Sequence, residues 1–574
     1  MASQAQTAAR HLLSGLAALF ARAGELLNPE RLTGPVLGKE LRVSSRRRRN
    51  YVLRFLYLGA LTISVAIIVP KAGRPGADAG ARIVDSILWF QFVAFQFLAV
   101  LLLSPAISSE IRSRTLGILM TTPISAFQIV TGKLLGKLLQ IIILLAVSLP
   151  LLAMVRVFGG VTWGYVPAGL CITLTATIFA GSFTLYYSVR SQSATGVTLL
   201  ALGVYGAIFH PIAYIISAKG LPGDLSISPA YTMLVNSSMM LNATRGPLSN
   251  PWGLHCLLML LLSLGLLALA ARKARGAAQR ALSQPAAPGP RRASNVRPRA
   301  VRGPALLWKE MRFYLPSSRT KLVLVLLATL VSLGASYASF ISNDILREAP
   351  MHLFYVFLYL GVGAFVTAVM AATSITVEKE SRALPLLLTA PISDAYVVWT
   401  KANGVLRRAS PPLLFLLAHL VIFTAVGAIH PLTALLLLML AVYTIAFLLG
   451  LGLYFSSRFQ TSSAATAMTF VSVAVVWILL PLVLGNLPRE DLPFGSHLFQ
   501  VADPLVQVVV VIRASAEYYN SVAGAISFEG PYGPLSPWQA ADVMLLSLVA
   551  YSGMGFLLAW RAKARLRKNL FAQT

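Results

Sequence analysis

Ten polar and apolar residues recur in one fixed register in two segments that lie between apolar runs of this chain, and each set includes a carboxylate, a guanidinium and an ammonium group. The segment SSEIRSRTLGILMTTPISAFQIVTGK carries Glu110, Ser113, Arg114, Leu116, Leu119, Thr121, Pro123, Ile124, Ser125 and Lys133. VEKESRALPLLLTAPISDAYVVWTK carries Glu378, Ser381, Arg382, Leu384, Leu387, Thr389, Pro391, Ile392, Ser393 and Lys401, each 268 positions further on. A carboxylate and a guanidinium four residues apart share one helix face, yet such a pair adds only about 0.3–0.5 kcal/mol. Leucines three apart give the same helix an apolar side. The Thr-x-Pro ending stops it, because proline lacks the amide donor and restricts the residue before it. The spacing therefore predicts a short amphipathic helix in each copy, which either turns the chain or offers a handle to a partner.

Residue patterns that would support catalysis are missing from the sequence. No G-x-x-x-x-G-K-[ST] loop occurs, and the nearest string, TGKLLGKLL at 131–139, has the wrong spacing and enters an apolar run. No His/Glu pair has metal-ligand spacing on a helix, and His210, His419 and His430 stand apart from one another. Cys171 and Cys256 both lie inside apolar runs and read as small core residues. The expectation is a chain that is not an enzyme and holds no metal or cofactor of its own.

The elements that carry the repeated segments are set by composition. Of 574 residues, 57% are hydrophobic and 12% charged, with mean hydropathy +0.73. Soluble domains hold about 25% charged residues, and runs of about 20 apolar residues cross a bilayer as helices. Twelve spans are expected, near 52–69, 83–106, 134–157, 162–189, 195–217, 252–271, 321–341, 352–377, 411–429, 431–457, 462–486 and 538–560. The fold class is all-α, a polytopic membrane protein of two tandem six-helix bundles with interfacial amphipathic helices. Residues 10–27 place Leu12, Leu16, Leu19, Phe20, Ala23 and Leu27 on one face, which suits a helix lying on the membrane better than a cleaved leader.

The formal charge of +29 could suggest nucleic acid, but roughly 38 of the 48 Lys and Arg residues fall on one set of loops and tails. That asymmetry is the positive-inside pattern, so both termini and the repeated segments are expected in the cytoplasm, and no nucleic-acid partner is expected. Arg54 lies near the cytoplasmic end of its span, where it can snorkel. Residues 272–302, rich in Pro, Ala and Arg, read as a basic tether near anionic lipid. The organisation is thus a 1–30 interfacial helix, a 31–271 unit, the 272–302 linker and a 303–574 unit with a basic tail. Two loops, at about 218–251 and 487–537, face outward, and Tyr518, Tyr519, Phe528, Tyr532 and Trp538 suit a short structured cap on the second.

Further matches extend the repeat. GPVLGKELR around Lys39 and Glu40 returns as GPALLWKEMR around Lys309 and Glu310, and PLSNPW returns as PLSPW before the last span of each half. LYYSVRSQ at Leu185 returns as LYFSSRFQ at Leu453. Six spans per copy is an even number, so the two copies face the same way.

The form E-x-x-S-R-x-L-x-x-L-x-T-x-P-I-S after the second of six spans, with a following Lys, resembles the coupling region of type-2 ABC transporter permeases. The Lys-Glu-Leu-Arg at 39–42 is similar to that family too. The resemblance covers 31–271 and 303–568. It implies a permease whose two coupling helices insert into two cytosolic ATPase subunits, with ATP and Mg²⁺ held on those subunits, and it implies export across a bacterial inner membrane. Glu110, Ser113, Arg114 and Pro123, with Glu378, Ser381, Arg382 and Pro391, would then be ATPase-coupling residues. An ion-coupled secondary transporter would carry carboxylates near mid-membrane. Asp85 and Asp542 lie only at outer span ends, and the other span interiors have no Asp or Glu. A non-transporting scaffold would leave the repeated segments without a purpose.

Overall fold

The computed structural model describes residues 35–40, 78–113, 115–156, 164–191, 193–202, 226–241, 252–283, 303–311, 348–481, 502–520, 528–530 and 533–567, with scattered positions between them. The chain is an all-α polytopic membrane protein. Nine helices among the described residues are long and apolar enough to cross a bilayer. The expected interfacial helix at 10–27 and most of the expected spans at 52–69 and 321–341 lie outside the described residues, as does much of 195–217. The chain divides into two compact units, Met1–Ser294 and Asn295–Thr574.

In the first unit a short helix at 35–40 (α1) is followed by α2 (Asp78–Arg112), α3 (Thr115–Thr121), α4 (Ala126–Arg156), α5 (Tyr165–Ser188), α6 (Ala194–Leu202), α7 (Pro229–Leu241) and α8 (Trp252–Ser283). With 35 residues, α2 is about 52 Å long at 1.5 Å per residue and outruns a ~30 Å hydrocarbon layer. Glu110 stands on its last turn, two residues before its end. Phe95, Leu103 and Ile107 of α2 pack with Ile129, Leu134 and Leu138 of α4 and with Leu185 of α5. The helix α8 runs to Ser283, through the first part of the stretch expected to be a flexible linker from residue 272. The reason is an alanine stripe: Ala270, Ala271, Ala274 and Ala277 are buried in the same cluster as Leu116 of α3. Small side chains allow that close approach while Arg272, Lys273 and Arg275 stay exposed.

The second unit repeats the order with α9 (Ala305–Glu310), α10 (Ala349–Thr373), α11 (Thr376–Glu380), α12 (Leu384–Thr389), α13 (Asp394–Ala425), α14 (Pro431–Arg458) and α15 (Ser462–Ala474), which a π-turn at Val475–Leu479 extends. Then come α16 (Pro504–Asn520), β1 (Phe528–Gly530), β2 (Gly533–Leu535) and α17 (Pro537–Arg565). The two strands form a small antiparallel hairpin with Phe528 opposite Leu535. At Gly427, φ of +75° lets the chain leave α13 and turn back into α14. A Cβ built on Gly450 of α14 would lie 1.9 Å from the Gly555 carbonyl of α17, and one on Gly555 would lie 2.4 Å from that of Ala446. These small residues let the backbones of α14 and α17 touch, which is how membrane helices gain packing contact where lipid gives no hydrophobic drive.

Within 487–537, expected as an outer loop with a short structured cap, the described residues form α16 and the hairpin, and α16 packs inside the bundle. Ser515 of α16 accepts from the His430 amide at the start of α14, 2.9 Å away, whereas Gln507 bonds Tyr443 of α14 and donates to Ser547 of α17 at 3.0 Å. Tyr443 and Ser547 lie twelve and ten residues inside their helices, about 15–18 Å along the axis. Helix α16 therefore starts deep in the bundle and rises to its end. Asp503 caps that deep start, accepting from the Leu505 amide at 2.7 Å, and is 1% exposed. A buried carboxylate thus exists where the span reading found none, and it is occupied as a helix cap. His419 likewise is not isolated: it lies 3.3 Å from His352 and 2.8 Å from the Tyr337 hydroxyl.

Candidate coupling elbow

The repeated segments form an elbow at one end of each unit. Glu110 sits on the final turn of α2, and Glu378 on α11, which continues the line of α10. In the second unit the chain then breaks: Arg382 takes φ of 54°, in the left-handed region, and α12 starts at Leu384. The expected helical-face pair of Glu378 with Arg382 is therefore not formed. Arg382 is exposed, and Glu378 turns inward to Lys401. Arg114, the counterpart of Arg382, lies outside the described residues. Ser113 and Ser381 hold the break from within, with Oγ 3.4 Å from the Glu110 carbonyl and 3.2 Å from the Glu378 carbonyl.

The short helix beyond the break has two faces. Leu116 is buried and Leu119 packs on the core in the first unit, as Leu384 and Leu387 do in the second. On the other side Ile118 is 65% exposed and Leu386 is 75% exposed. The helix stops at Thr121 or Thr389, two residues before Pro123 or Pro391, both exposed. The motif then starts the next helix. Ser125 Oγ accepts from the Gln128 amide at 3.1 Å while Gln128 accepts from the Ser125 amide at 2.9 Å, a reciprocal cap on α4. Ser393 caps α13 in the same way, accepting from the Tyr396 amide at 3.2 Å. Pro ends one helix and Ser begins the next, so the elbow is fixed by its own sequence.

A lysine braced by two carboxylates lies beneath each elbow. In the first unit Lys133 of α4 is 2.6 Å from Glu110 and 3.6 Å from Glu40 of α1, and Lys137 is 3.0 Å from Glu40. In the second, Lys401 of α13 is 2.6 Å from Glu378 and 2.7 Å from Glu310 of α9. Lys309 adds a contact to Glu378 at 3.1 Å, and Arg408 lies 3.7 Å from Glu310. The second triad is the drier one: its side chains are 4–9% exposed, against 19–20% for Glu40 and Glu110. Burial alone would raise the Glu40 carboxyl, but Lys137 and Lys133 together hold it below the usual range. The Oε2 atoms of Glu110 and Glu378 are both buried without a hydrogen-bond partner.

Glycines make room for these contacts. A Cβ on Gly136 would meet the Glu40 Cβ at 2.8 Å, and one on Gly404 would meet the Glu310 Cβ at 3.0 Å and its carbonyl at 3.1 Å. Both glycines stand three residues after the triad lysine, in the same register as the rest of the repeat. A second shared tie joins each elbow to the fourth apolar run. Ser188 Oγ accepts from the amides of Ile107 and Ser108 at 3.2 and 2.9 Å, and Ser456 Oγ from those of Ile375 and Thr376 at 2.9 and 3.1 Å.

An exposed apolar tip is joined through a rigid Pro-x-Ser corner to one long helix and through a buried ion triad to two other elements. A family model described as CcmB protein matches residues 32–221, about a third of the chain and within the first compact unit. No curated protein and no solved structure matches. The family match is to ABC-type transport permeases rather than to enzymes, and it supports a permease of an ABC transporter with a cytosolic ATPase partner.

Proposed function

We propose that this chain supplies both membrane-spanning halves of a type-2 ABC exporter, with two permease units, 31–271 and 303–574, fused by a basic linker. Both elbows face the cytosol of a bacterial cell, as do both termini, and each receives one ATPase subunit that holds ATP and Mg²⁺. The observation that carries this reading is the doubled elbow itself, with Glu110, Lys133 and Glu40 under Ile118 and Glu378, Lys401 and Glu310 under Leu386. The exposed residues of the two tips match in kind: Ile118 with Leu386, Thr121 with Thr389, Pro123 with Pro391, Ser125 with Ser393. Matching tips suit two copies of one ATPase chain.

Closure of the ATPase pair pushes on each tip. The Ser-capped corner passes the push to α4 or α13, and the triad passes it to α2 or α10 and to the short N-terminal helix of the unit. Those elements then shift as one body, and the spans open on the other side. The test is co-purification of the chain with its ATPase from detergent. Ile118→Asp with Leu386→Asp removes the ATPase while the chain stays folded, since both positions are exposed. Glu110→Gln with Glu378→Gln keeps the ATPase bound and lowers its substrate-stimulated hydrolysis. Full coupling in that double variant would end the role given to the triads.

A further inference from the structure

The two elbows share a tip and a triad, but their ties to the neighbouring loop differ in chemistry. In the second unit Lys379 Nζ donates to the carbonyls of Ser456 at 3.0 Å, Ser457 at 2.5 Å and Phe459 at 3.0 Å. These are the unsatisfied carbonyls at the end of α14, where the helix dipole favours a cation. The next residue, Glu380, accepts from the Ser462 amide at 2.7 Å, the first amide of α15, where the dipole favours an anion. Thr376 Oγ1 adds a contact of 3.1 Å to the Ser462 hydroxyl. One lysine and one glutamate, adjacent in sequence, thus grip the two helix ends on either side of a single turn. Thr461, the N-cap residue of α15, makes no side-chain cap bond of its own.

The first unit has different atoms at the same positions. Ile111 stands where Lys379 stands and is 8% exposed, a hydrocarbon with nothing to donate. Arg112 stands where Glu380 stands, and a guanidinium cannot accept an amide. The start of α6 is capped locally, Ser193 Oγ accepting from the Gly196 amide at 3.2 Å. What α15 takes from its elbow, α6 takes from its own loop.

We infer that the pair Lys379 and Glu380 locks the second elbow to the turn between α14 and α15, so that the two sockets of this permease respond unequally to the same motor. A displacement of the second elbow carries α14 and α15 with it. A displacement of the first elbow is passed to α2 and α4, and to α5 through the Ser188 tie and the packing of Ile107 and Ile111 with Leu185 and Val189, with no carboxylate from position 112 on the first amides of α6. Lys379 and Glu380 are positioning residues, and the consequence for transport rests on the ABC reading proposed above.

Hydrogen exchange on the whole chain in lipid nanodiscs tests the lock without any ATPase. Normalised for intrinsic rates, amides of 457–466, the Ser462 amide above all, should exchange at least about tenfold more slowly than those of 189–198, because Glu380 accepts from the Ser462 amide while Lys379 holds the carbonyls of the same turn. Lys379→Met with Glu380→Gln should speed 457–466 by about tenfold and leave 189–198 unchanged. Ile111→Lys with Arg112→Glu should slow 189–198, which keeps the test alive if the first variant folds poorly. Equal exchange of the two turns in the unaltered chain, or no change in 457–466 on removing the pair, overturns the inference. With the ATPase added, the Lys379/Glu380 variant should lower stimulated hydrolysis more than the Ile111/Arg112 variant does, and an equal effect would remove the functional asymmetry. Failure to bind any ATPase would sink the ABC reading while leaving the exchange result standing.

Discussion

Replacing Lys401 with methionine removes a cation that touches both Glu310 and Glu378. The two carboxylates are 8% and 9% exposed, and Lys401 contacts them at 2.7 and 2.6 Å. What remains is Lys309, itself 56% exposed, on Glu378, and Arg408 at 3.7 Å on Glu310. Breaking a buried pair by removing one partner costs about 3–5 kcal/mol, since a buried charge is left uncompensated. The equivalent change, Lys133→Met, should cost less, about 1–3 kcal/mol, because Glu40 and Glu110 are about a fifth exposed and Lys137 stays on Glu40. The assay is unfolding of the purified chain in mixed micelles under rising denaturing detergent, with both single variants beside the unaltered protein. The triple variant Glu310→Gln, Lys401→Met, Glu378→Gln removes all three charges and should recover most of the loss, as full neutralisation of a buried ion group often does. A loss below about 1 kcal/mol for Lys401→Met, or a triple variant weaker than the single one, would refute the view that the triad is a desolvated ion group.

Three further outcomes follow from the geometry. Gly404→Ala forces a methyl group against the Glu310 backbone, and Gly136→Ala forces one to 2.8 Å from the Glu40 Cβ, which moves only with its backbone, so each should cost about 1–3 kcal/mol; the same detergent titration measures both. Gly555→Val places side-chain atoms into the Ala446 carbonyl, so it should lower the thermal midpoint of the chain sharply, whereas Gly553→Val meets open space and should leave it nearly unchanged. Acidification should loosen the first triad. The folded Glu40 pKa lies below its unfolded value, near 4.3, so the stabilisation is present above that value and is lost as pH falls through the folded one. Exchange of the α4 amides next to Lys133 should therefore rise below about pH 4, and Glu40→Gln should abolish that rise.

The long apolar runs were legible from their length alone, and their ends were not. The span expected at 411–429 is a helix from Asp394 to Ala425. Lys401, Arg407, Arg408 and the Pro411-Pro412 pair hid its first half from a hydropathy reading. The helix persists there because that half packs on the elbow and the bonds that proline removes lie at only two positions. The repeat disclosed Lys133 with Lys401, and separately Glu40 with Glu310, but sequence spacing does not tell which helices adjoin. Their meeting across about ninety residues needed coordinates. Gly136 and Gly404 stood in the same register, and that was a usable signal. The i, i+4 pairing of Glu378 with Arg382 failed because Ser381 and Arg382 leave the helix, a turn that a leucine pattern three apart does not reveal.

Helix α16 has a consequence for how the second unit is built. Its first turn holds Asp503 and Gln507, polar groups that lipid alone cannot satisfy, and their neighbours Tyr443 and Ser547 belong to helices on either side of it in sequence. The ribosome delivers α14 first and α17 last, so the Ser547 partner of Gln507 exists only once α17 has been made. The polar network around Gln507 is thus closed by the final helix of the unit, and a chain cut short before α17 should leave the Gln507 amide without its Ser547 partner.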